Sequence, residues 1–234
     1  MRITRATNTA IRYACLNFHY AKAVPVNPIG YNIYNDNDEW CGVILYARGA
    51  CPQIGKPYGL IQGQVLELVR VALNGKQEHT TQAVALSLKQ LKKDYPIIRL
   101  IVSYADTEQK HLGTIYQATN WIYTGKATEG DTMFYLIRGK KVHNKTLNDM
   151  LVRRGLKIGL ENIRKYIDPN AEPLKAGGKF KYLMPMDKKM KKQIAPLAKP
   201  YPKNEDWVKI DRKTFKMNND TTAPVRAVES NKNE

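Results

Sequence analysis

Val65-Leu66-Glu67-Leu68-Val69-Arg70-Val71-Ala72-Leu73, then Asn74-Gly75, then Thr80 to Lys93, then Ile97 to Tyr104: this stretch decides the fold. Its first nine residues are aliphatic or β-branched apart from Glu67 and Arg70 and stop at a turn-forming Asn-Gly pair, which reads as a strand. From Thr80 the residues Ala83, Val84, Leu86, Leu88 and Leu91 fall in a largely helical pattern. Ile97 to Tyr104 is almost continuously apolar, as expected of a central strand in a sheet covered on both faces. Strand, glycine turn, helix and strand in that order make the centre of a mixed sheet.

Outward from this centre, Thr7 to Tyr20 carries Ile11, Cys15 and Phe18 at near-helical spacing, with Pro25 beyond the helix end. Tyr31 to Tyr34 and Trp40 to Ala47 read as a hairpin around the polar run Asn35 to Asp38. Downstream, Thr114 to Trp121 reads as a short helix and Thr132 to Ile137 as a closing strand. Leu147 to Arg154 and Gly159 to Tyr166 look helical, Lys179 to Met186 strand-like, and Asp187 to Leu197 a basic helix. The expected class is α+β or α/β, a mixed central sheet with flanking helices and a basic C-terminal extension.

A chain of 234 residues with 43% hydrophobic content can bury a real core. Its 38 Lys plus Arg against 21 Asp plus Glu leave a net charge of +17, which points to a polyanionic partner, nucleic acid being the commonest. From Gly139 to Lys216 there are 21 Lys plus Arg and 8 Asp plus Glu, so +13 of the total lies there. That split suggests a compact domain over 1–138, a nucleic-acid-binding extension over 139–216, and a polar tail over 217–234 with too few apolar residues to fold. No stretch approaches the roughly 18 apolar residues of a membrane span, and Met1 to Arg12 lacks a signal-peptide core, so a cytoplasmic location is expected. Cys15, Cys41 and Cys51 form no CxxC pair and are expected to be buried thiols.

The element order resembles the GNAT acyltransferase superfamily. The segments Asn17-Phe18-His19-Tyr20, Leu66-Glu67-Leu68-Val69-Arg70, Ser103-Tyr104-Ala105-Asp106 and Gly113-Thr114-Ile115-Tyr116-Gln117-Ala118-Thr119-Asn120-Trp121 together resemble the Mom family of phage adenine methylcarbamoylation proteins. The resemblance implies two parallel strands, Val65 to Leu73 and Ile97 to Tyr104, that splay to admit acyl-CoA. It implies transfer to the N6 amino group of adenine in double-stranded DNA, protection of phage DNA from restriction, and the cytoplasm of an infected bacterium. The donor would be acyl-CoA, acetyl-CoA among them, or another small molecule. Acetyl transfer attaches a carbonyl carbon to N6, whereas methylcarbamoyl attaches a CH2 and ends in an amide. Either the donor is not acetyl-CoA or a rearrangement follows.

The expected catalytic residues are His19, Tyr20, Arg70, Asp106 and Tyr116. Histidine moves protons near neutral pH and a tyrosine hydroxyl donates to developing charge; an isolated His-Tyr pair is otherwise structural. Asp106 would accept a proton or orient the substrate, its alternative being an Asx-turn at a strand end. Tyr116 would protonate a leaving thiolate or else pack in the core. Arg70 would grip a carboxylate, phosphate or amide oxygen, while Glu67 would simply pair with a cation on a neighbouring strand. Val71, Leu73, Lys76 and Thr80 are the expected cofactor contacts, although the turn Asn74-Gly75-Lys76-Gln77-Glu78 has a single glycine where the superfamily has a glycine-rich phosphate loop. Thr80 equally suits a plain N-cap. DNA contacts are expected from Lys110, His111, Lys179, Lys181, Lys188, Lys189, Lys191 and Lys192. No HxxxH or HExxH spacing occurs, and a metal held by His19 and Asp106 is left open. Two other functions fit the composition: a GNAT acetyltransferase acting on tRNA or a protein amine, and a non-enzymatic DNA-binding protein.

Overall fold

The computed structural model describes residues 1–203 with the exception of Ala50 and Ala176. The chain divides into Met1–Tyr201 and Pro202–Glu234. The polar tail expected from residue 217, and residues 204–216 of the basic extension, lie outside the described residues.

In chain order the elements are β1 (Arg2–Arg5), α1 (Asn8–Phe18), β2 (Ile29–Tyr34), β3 (Trp40–Ala47), β4 (Val65–Leu73), α2 (Thr80–Asp94), β5 (Leu100–Asp106), α3 (Thr114–Ala118), β6 (Ile122–Ala127), β7 (Thr132–Ile137), β8 (Lys140–His143), α4 (Asn144–Arg153), α5 (Leu160–Tyr166), β9 (Glu172–Lys175), β10 (Lys179–Pro185) and α6 (Lys188–Ile194). The large sheet runs β1-β2-β3-β4-β5-β10-β6 and a small one β8-β7-β9. Within the large sheet only β4 and β5 pair in parallel. The mixed sheet with helices on both faces is the expected fold.

Side-chain alternation sorts the two faces. On one, Val43, Leu45 and Ala72 pack against Ile11, Ala14 and Cys15 of α1, while Val65, Leu100, Val102 and Leu183 pack against Met190 and Ile194 of α6. On the other lies α2, whose Ser87 hydroxyl meets the buried Tyr46 hydroxyl at 2.6 Å, and then α3. Thr7 caps α1 by accepting from the Ala10 N–H at 3.3 Å. β5 begins later than its apolar run because the chain must first turn: Tyr95 N–H closes α2 on the Leu91 carbonyl and Ile98 N–H returns to the Tyr95 carbonyl.

Three expectations need correction. Thr132 to Ile137 does not close the large sheet, since β7 pairs with β8 and β9. The place beside β5 goes to β10, whose Phe180, Tyr182 and Leu183 are fully buried there, whereas only Ile137 of β7 is buried. The boundary drawn after Arg138 therefore cuts the β7–β8 pairing, and the segment 128–178 is an excursion between the paired strands β6 and β10. It encloses its own core of Ile137, Leu147, Leu151, Ile163 and Ala171. The helix expected over Thr114 to Trp121 stops at Ala118, because Asn120 takes a left-handed φ of 58° and Trp121 turns inward to full burial. Finally, Cys15 and Cys41 are buried as expected, but Cys51 is exposed on the loop after β3.

Gly113 precedes α3 with φ +75°, and a Cβ there would run into the Tyr182 ring. Gly113→Ala is expected to cost about 2–4 kcal/mol, combining left-handed strain with overpacking. Chemical denaturation measures this directly; a loss below about 1 kcal/mol would show that Tyr182 swings aside.

Candidate active site at the diverging strands

β4 and β5 pair only at Val65–Leu100, Leu66–Ile101 and Glu67–Val102, although the strands continue to Leu73 and Asp106. Beyond that point they part. On one side, the β3–β4 register shifts between Leu45–Arg70 and Tyr46–Leu68, which makes Val69 an extra residue in β4. Such a bulge bends its strand and increases the local twist. On the other side, β10 holds β5 along its whole length. Ser103 occupies the first step of the gap. Its hydroxyl donates to the Leu68 carbonyl at 2.9 Å and shares a 2.8 Å hydrogen bond with the Tyr116 hydroxyl.

The bulge also turns both Val69 and Arg70 toward α1, since Val69 packs in the α1 cluster and Arg70 lies opposite Leu45 of that cluster. Arg70 Nη1 donates to the Val69 carbonyl at 2.7 Å, while its Nε is buried without a hydrogen-bond partner. Among the described residues no carboxylate lies within 4.0 Å of this guanidinium. Its uncompensated charge acts on everything nearby.

His19 closes α1, and its Nδ1 accepts the Ala21 N–H at 3.1 Å. Burial, then the neighbouring Arg70, His111 and Lys22, lower its pKa to about 4. The imidazole is therefore neutral at neutral pH, and with Nδ1 occupied as an acceptor the proton sits on Nε2. At Nε2 this ring is a hydrogen-bond donor. Tyr20 stacks on it with ring centroids 4.4 Å apart. Partial burial and then the Asp106 carboxylate hold the Tyr20 phenol above its ordinary value, with Arg70 opposing them.

Glu67 is the residue whose role the sequence did not disclose. It makes no ion pair within 4.0 Å among the described residues. Burial raises its carboxyl pKa, against the pull of Lys179 and then Arg70. Gly49, at φ +74°, brings the loop after β3 close to this carboxylate, a Cβ there standing 2.6 Å from Glu67 Oε2. The available signal was an acid inside an apolar strand. Asp106 ends β5, and its Oδ1 accepts the Glu108 N–H at 3.0 Å. That is the Asx-turn alternative, and it leaves Oδ2 outside the turn. Alternation from Val102 through Tyr104 places Asp106 on the face of Glu67 and Arg70. Tyr116 reaches the gap from the opposite face; burial, partly offset by the Ser103 bond, pushes its pKa up to about 12. Five side chains thus surround the opening from one face, and Tyr116 from the other.

Val71 and Leu73 lie on β4 past the divergence, paired with Ile44 and Gly42 on the β3 side. The opposite edge of β4 is left for an extended ligand. Thr80 opens α2, whose N-cap His79 makes no side-chain capping bond, and the Thr80 hydroxyl accepts from Gln77 at 2.9 Å. Lys76 is 3.6 Å from Glu39 in an exposed ion pair, which solvent screens. An open strand edge leading to an uncapped helix N-terminus suits the amide arm and phosphates of a CoA. Among the described residues no group of three or more His, Cys, Asp or Glu is gathered to hold a metal ion, and no helix is long and apolar enough to cross a membrane.

The expected DNA contacts fall into two places. His111 N–H donates to the Asp106 carbonyl at 3.1 Å, Lys110 precedes it with φ 55°, and Lys179 pairs with Asp106 across β10. These three are at the opening. Lys181 lies farther along β10, its ammonium 5.2 Å from the Tyr58 ring centroid. Lys188, Lys189, Lys191 and Lys192 are exposed on α6, which follows the opposite end of β10, where Pro185 pairs with Leu100. Along β5 the two ends are about 20 Å apart. The structure does not bring the α6 lysines to the opening.

A mixed sheet whose one parallel pair diverges, with polar side chains around the gap, is the arrangement that the sequence resemblance implied. The chain belongs to the Mom protein family, whose model matches residues 1–203. It is similar to the methylcarbamoylase Mom of Escherichia phage Mu, 26% identical over 145 residues; the match spans 59% of this chain and 56% of that protein. Among solved structures it overlaps an acetyltransferase from Bacillus subtilis in complex with CoA, with 14% identity and a TM-score of 0.41 over 79% of this chain and 97% of that one. A spermidine N-acetyltransferase variant from Vibrio cholerae overlaps with 10% identity and a TM-score of 0.41, over 84% and 99%. Overlaps this loose assign nothing to this chain.

The lowered pKa of His19 makes a signed prediction. Between its ordinary value near 6.5 and about 4, the unfolded chain binds a proton that the folded ring rejects, so stability falls as pH falls through that window. His19→Gln should flatten this dependence. Denaturation midpoints at pH 7.5 and 5 measure it, and identical pH slopes for both proteins would refute the neutral folded imidazole.

Proposed function

We propose that this chain transfers an acyl group from a thioester to the N6 amino group of adenine in DNA, the nitrogen bonding to the carbonyl carbon as the thiol leaves; the methylcarbamoyl group named for its phage Mu relative would in addition need a donor that carries the CH2 and amide, or a rearrangement after transfer. The observation that carries the proposal is the opening of the β4–β5 pair after Glu67, with His19, Tyr20, Glu67, Arg70 and Asp106 on one face and Tyr116 on the other. A DNA-binding protein without catalysis gives no reason to keep an unpaired guanidinium beside a raised carboxyl, which costs folding energy.

The β4 edge, Val71, Leu73, Thr80 and, after leaving Glu39, Lys76 would hold an acyl-CoA or a similar small donor. An acyl-CoA supplies an activated carbonyl carbon as a thioester. The chain's own residues handle the charges. Glu67 accepts the proton that the amino nitrogen loses as its new bond to carbon forms, its raised pKa bringing it closer to operating pH. Arg70 and the Nε2–H of His19 donate to the oxygen on which negative charge grows. Tyr116, its proton held by a raised pKa, supplies it to the leaving group through the gap. Asp106 orients the amine. Because N6 is paired inside the duplex, the base must leave the stack at a cost of a few kcal/mol. Lys110, His111 and Lys179 would hold the distorted backbone, and the α6 lysines would add a second phosphate contact about 20 Å away. An altered N6 changes the major-groove edge that restriction enzymes read, which is how the product would protect phage DNA.

Mass spectrometry of nucleosides from bacteria expressing the protein should show a modified deoxyadenosine. Only standard and methylated nucleosides, in the presence of folded protein, would refute the function. Glu67→Gln should lower turnover by about a hundredfold or more, while the wild-type rate should fall on acidification through the raised Glu67 pKa. The acid limb should be absent from the residual activity of the variant; an unchanged limb would assign it to another group.

A further inference from the structure

Three rings meet at the mouth of the cleft. His19 and Tyr20 stack with 29° between their planes, and His111 stands against Tyr20 at 5.8 Å and 77°. The rings come from the end of α1 and from the turn after β5. The His19 ring is held at Nδ1 by the Ala21 N–H, and the main chain of His111 is tied to β5 by its N–H to the Asp106 carbonyl. Two nearly perpendicular rings make a corner with planar walls.

Tyr20 is nevertheless 53% exposed, and its hydroxyl makes no hydrogen bond among the described residues. An aromatic ring braced from behind yet open to solvent is suited to stacking on a planar ligand. The Asp106 carboxylate is close enough to act on the Tyr20 phenol, and its Oδ2 is outside the Asx-turn. An ionised carboxylate only accepts hydrogen bonds, so it selects a ligand edge that donates. Lys110 and Lys179, both exposed, flank Asp106 by sequence and by strand pairing. Planar walls, an acceptor at the floor and cations at the rim describe a site for one extruded nucleobase with an exocyclic amine.

Resting on the function proposed above, we propose that Tyr20 and His111 seat an extrahelical purine, the Tyr20 ring stacking on its face while Asp106 accepts from its amino group. On this basis the ring of Tyr20 binds the base, and the hydroxyl expected from sequence to donate is dispensable. Stacking serves any base, so Asp106 supplies the preference for an amino edge.

The test begins with duplex DNA in which nucleoside mapping has located an adenine modified by the wild-type protein; no modified nucleoside at all would sink the proposed function itself. Binding of wild type and Tyr20→Leu is then measured to that duplex and to one with an abasic site at the mapped position. Loss of the base should weaken wild-type binding on the order of ten- to a hundredfold, the size of one aromatic stack. Tyr20→Leu should bind both duplexes almost equally. Tyr20→Phe should keep the wild-type preference and a KM for DNA within about threefold of wild type, with His111→Ala falling between. Thermal melting confirms that the variants fold. Equal losses for Tyr20→Phe and Tyr20→Leu would return the role to the hydroxyl. Independent, additive effects of ring and base would overturn the stack, and a raised KM for the small donor alone would place the ring against the donor instead.

Discussion

The arrangement depends on one constraint: β4 is held by β3 and β5 by β10, and the two strands cannot remain paired with each other past Glu67 and Val102. An interrupted ladder inside a sheet leaves backbone groups exposed, and buried ones must be satisfied. Ser103 meets part of that need with a side chain, bonding the Leu68 carbonyl and binding Tyr116 at the same atom. The residue that bridges the strands is thus the one that fixes the phenol arriving from the far face. A gap produced by strand geometry becomes a passage between the two faces of the sheet.

The same bulge arranges the electrostatics. The extra residue Val69 rotates Arg70 onto the α1 face, where among the described residues no carboxylate lies within 4.0 Å of it. Burial, and after it this cation, keep His19 uncharged, and the cation draws the Tyr20 phenol and the Glu67 carboxyl toward ionisation. For Tyr20 and Glu67 burial outweighs that pull; for His19 it reinforces it. The site therefore holds a permanent positive charge, a neutral imidazole donor and a carboxyl of raised pKa. Such a set favours charge that grows negative during reaction while leaving a base for the departing proton.

Much of this was legible in the chain. Val65–Leu73, Thr80–Asp94 and the hairpin have strong periodicity and turn signals, and each forms within a few residues of its expected bounds. What escaped notice were elements whose stability comes from neighbours. β6 contains Thr124, Gly125 and Lys126 and pairs because Phe180 and Tyr182 are buried beside it. β1, β8 and β9 are four residues each, too short for a period to show. The bulge at Val69 is invisible to periodicity, since it arises from the β3 partner; hence Glu67 looked like an ordinary strand residue, while Arg70 stood out only as a cation among apolar neighbours. The candidate residues around His19, Arg70, Asp106 and Tyr116 do come together, but their roles depend on hydrogen bonds that no spacing reveals.

Charge was the least informative guide to location. The basic segment reads as one block, yet the chain carries its two ends apart: Lys179 begins β10 beside Asp106, and the lysines of α6 follow after the strand has crossed the sheet. Between β6 and β10 the excursion 128–178 leaves and returns at the same end as Asp106, anchored where the Thr107 hydroxyl donates to the Gly178 carbonyl at 2.5 Å and Lys141 pairs with Glu108 at 3.0 Å. An antiparallel strand converts a contiguous run of lysines into two separated patches, so sequence proximity overstates how many of them a single phosphate cluster can meet. The α6 patch therefore stands apart from the side chains gathered at the end where β5 stops, where Asp106, His111 and Lys179 meet.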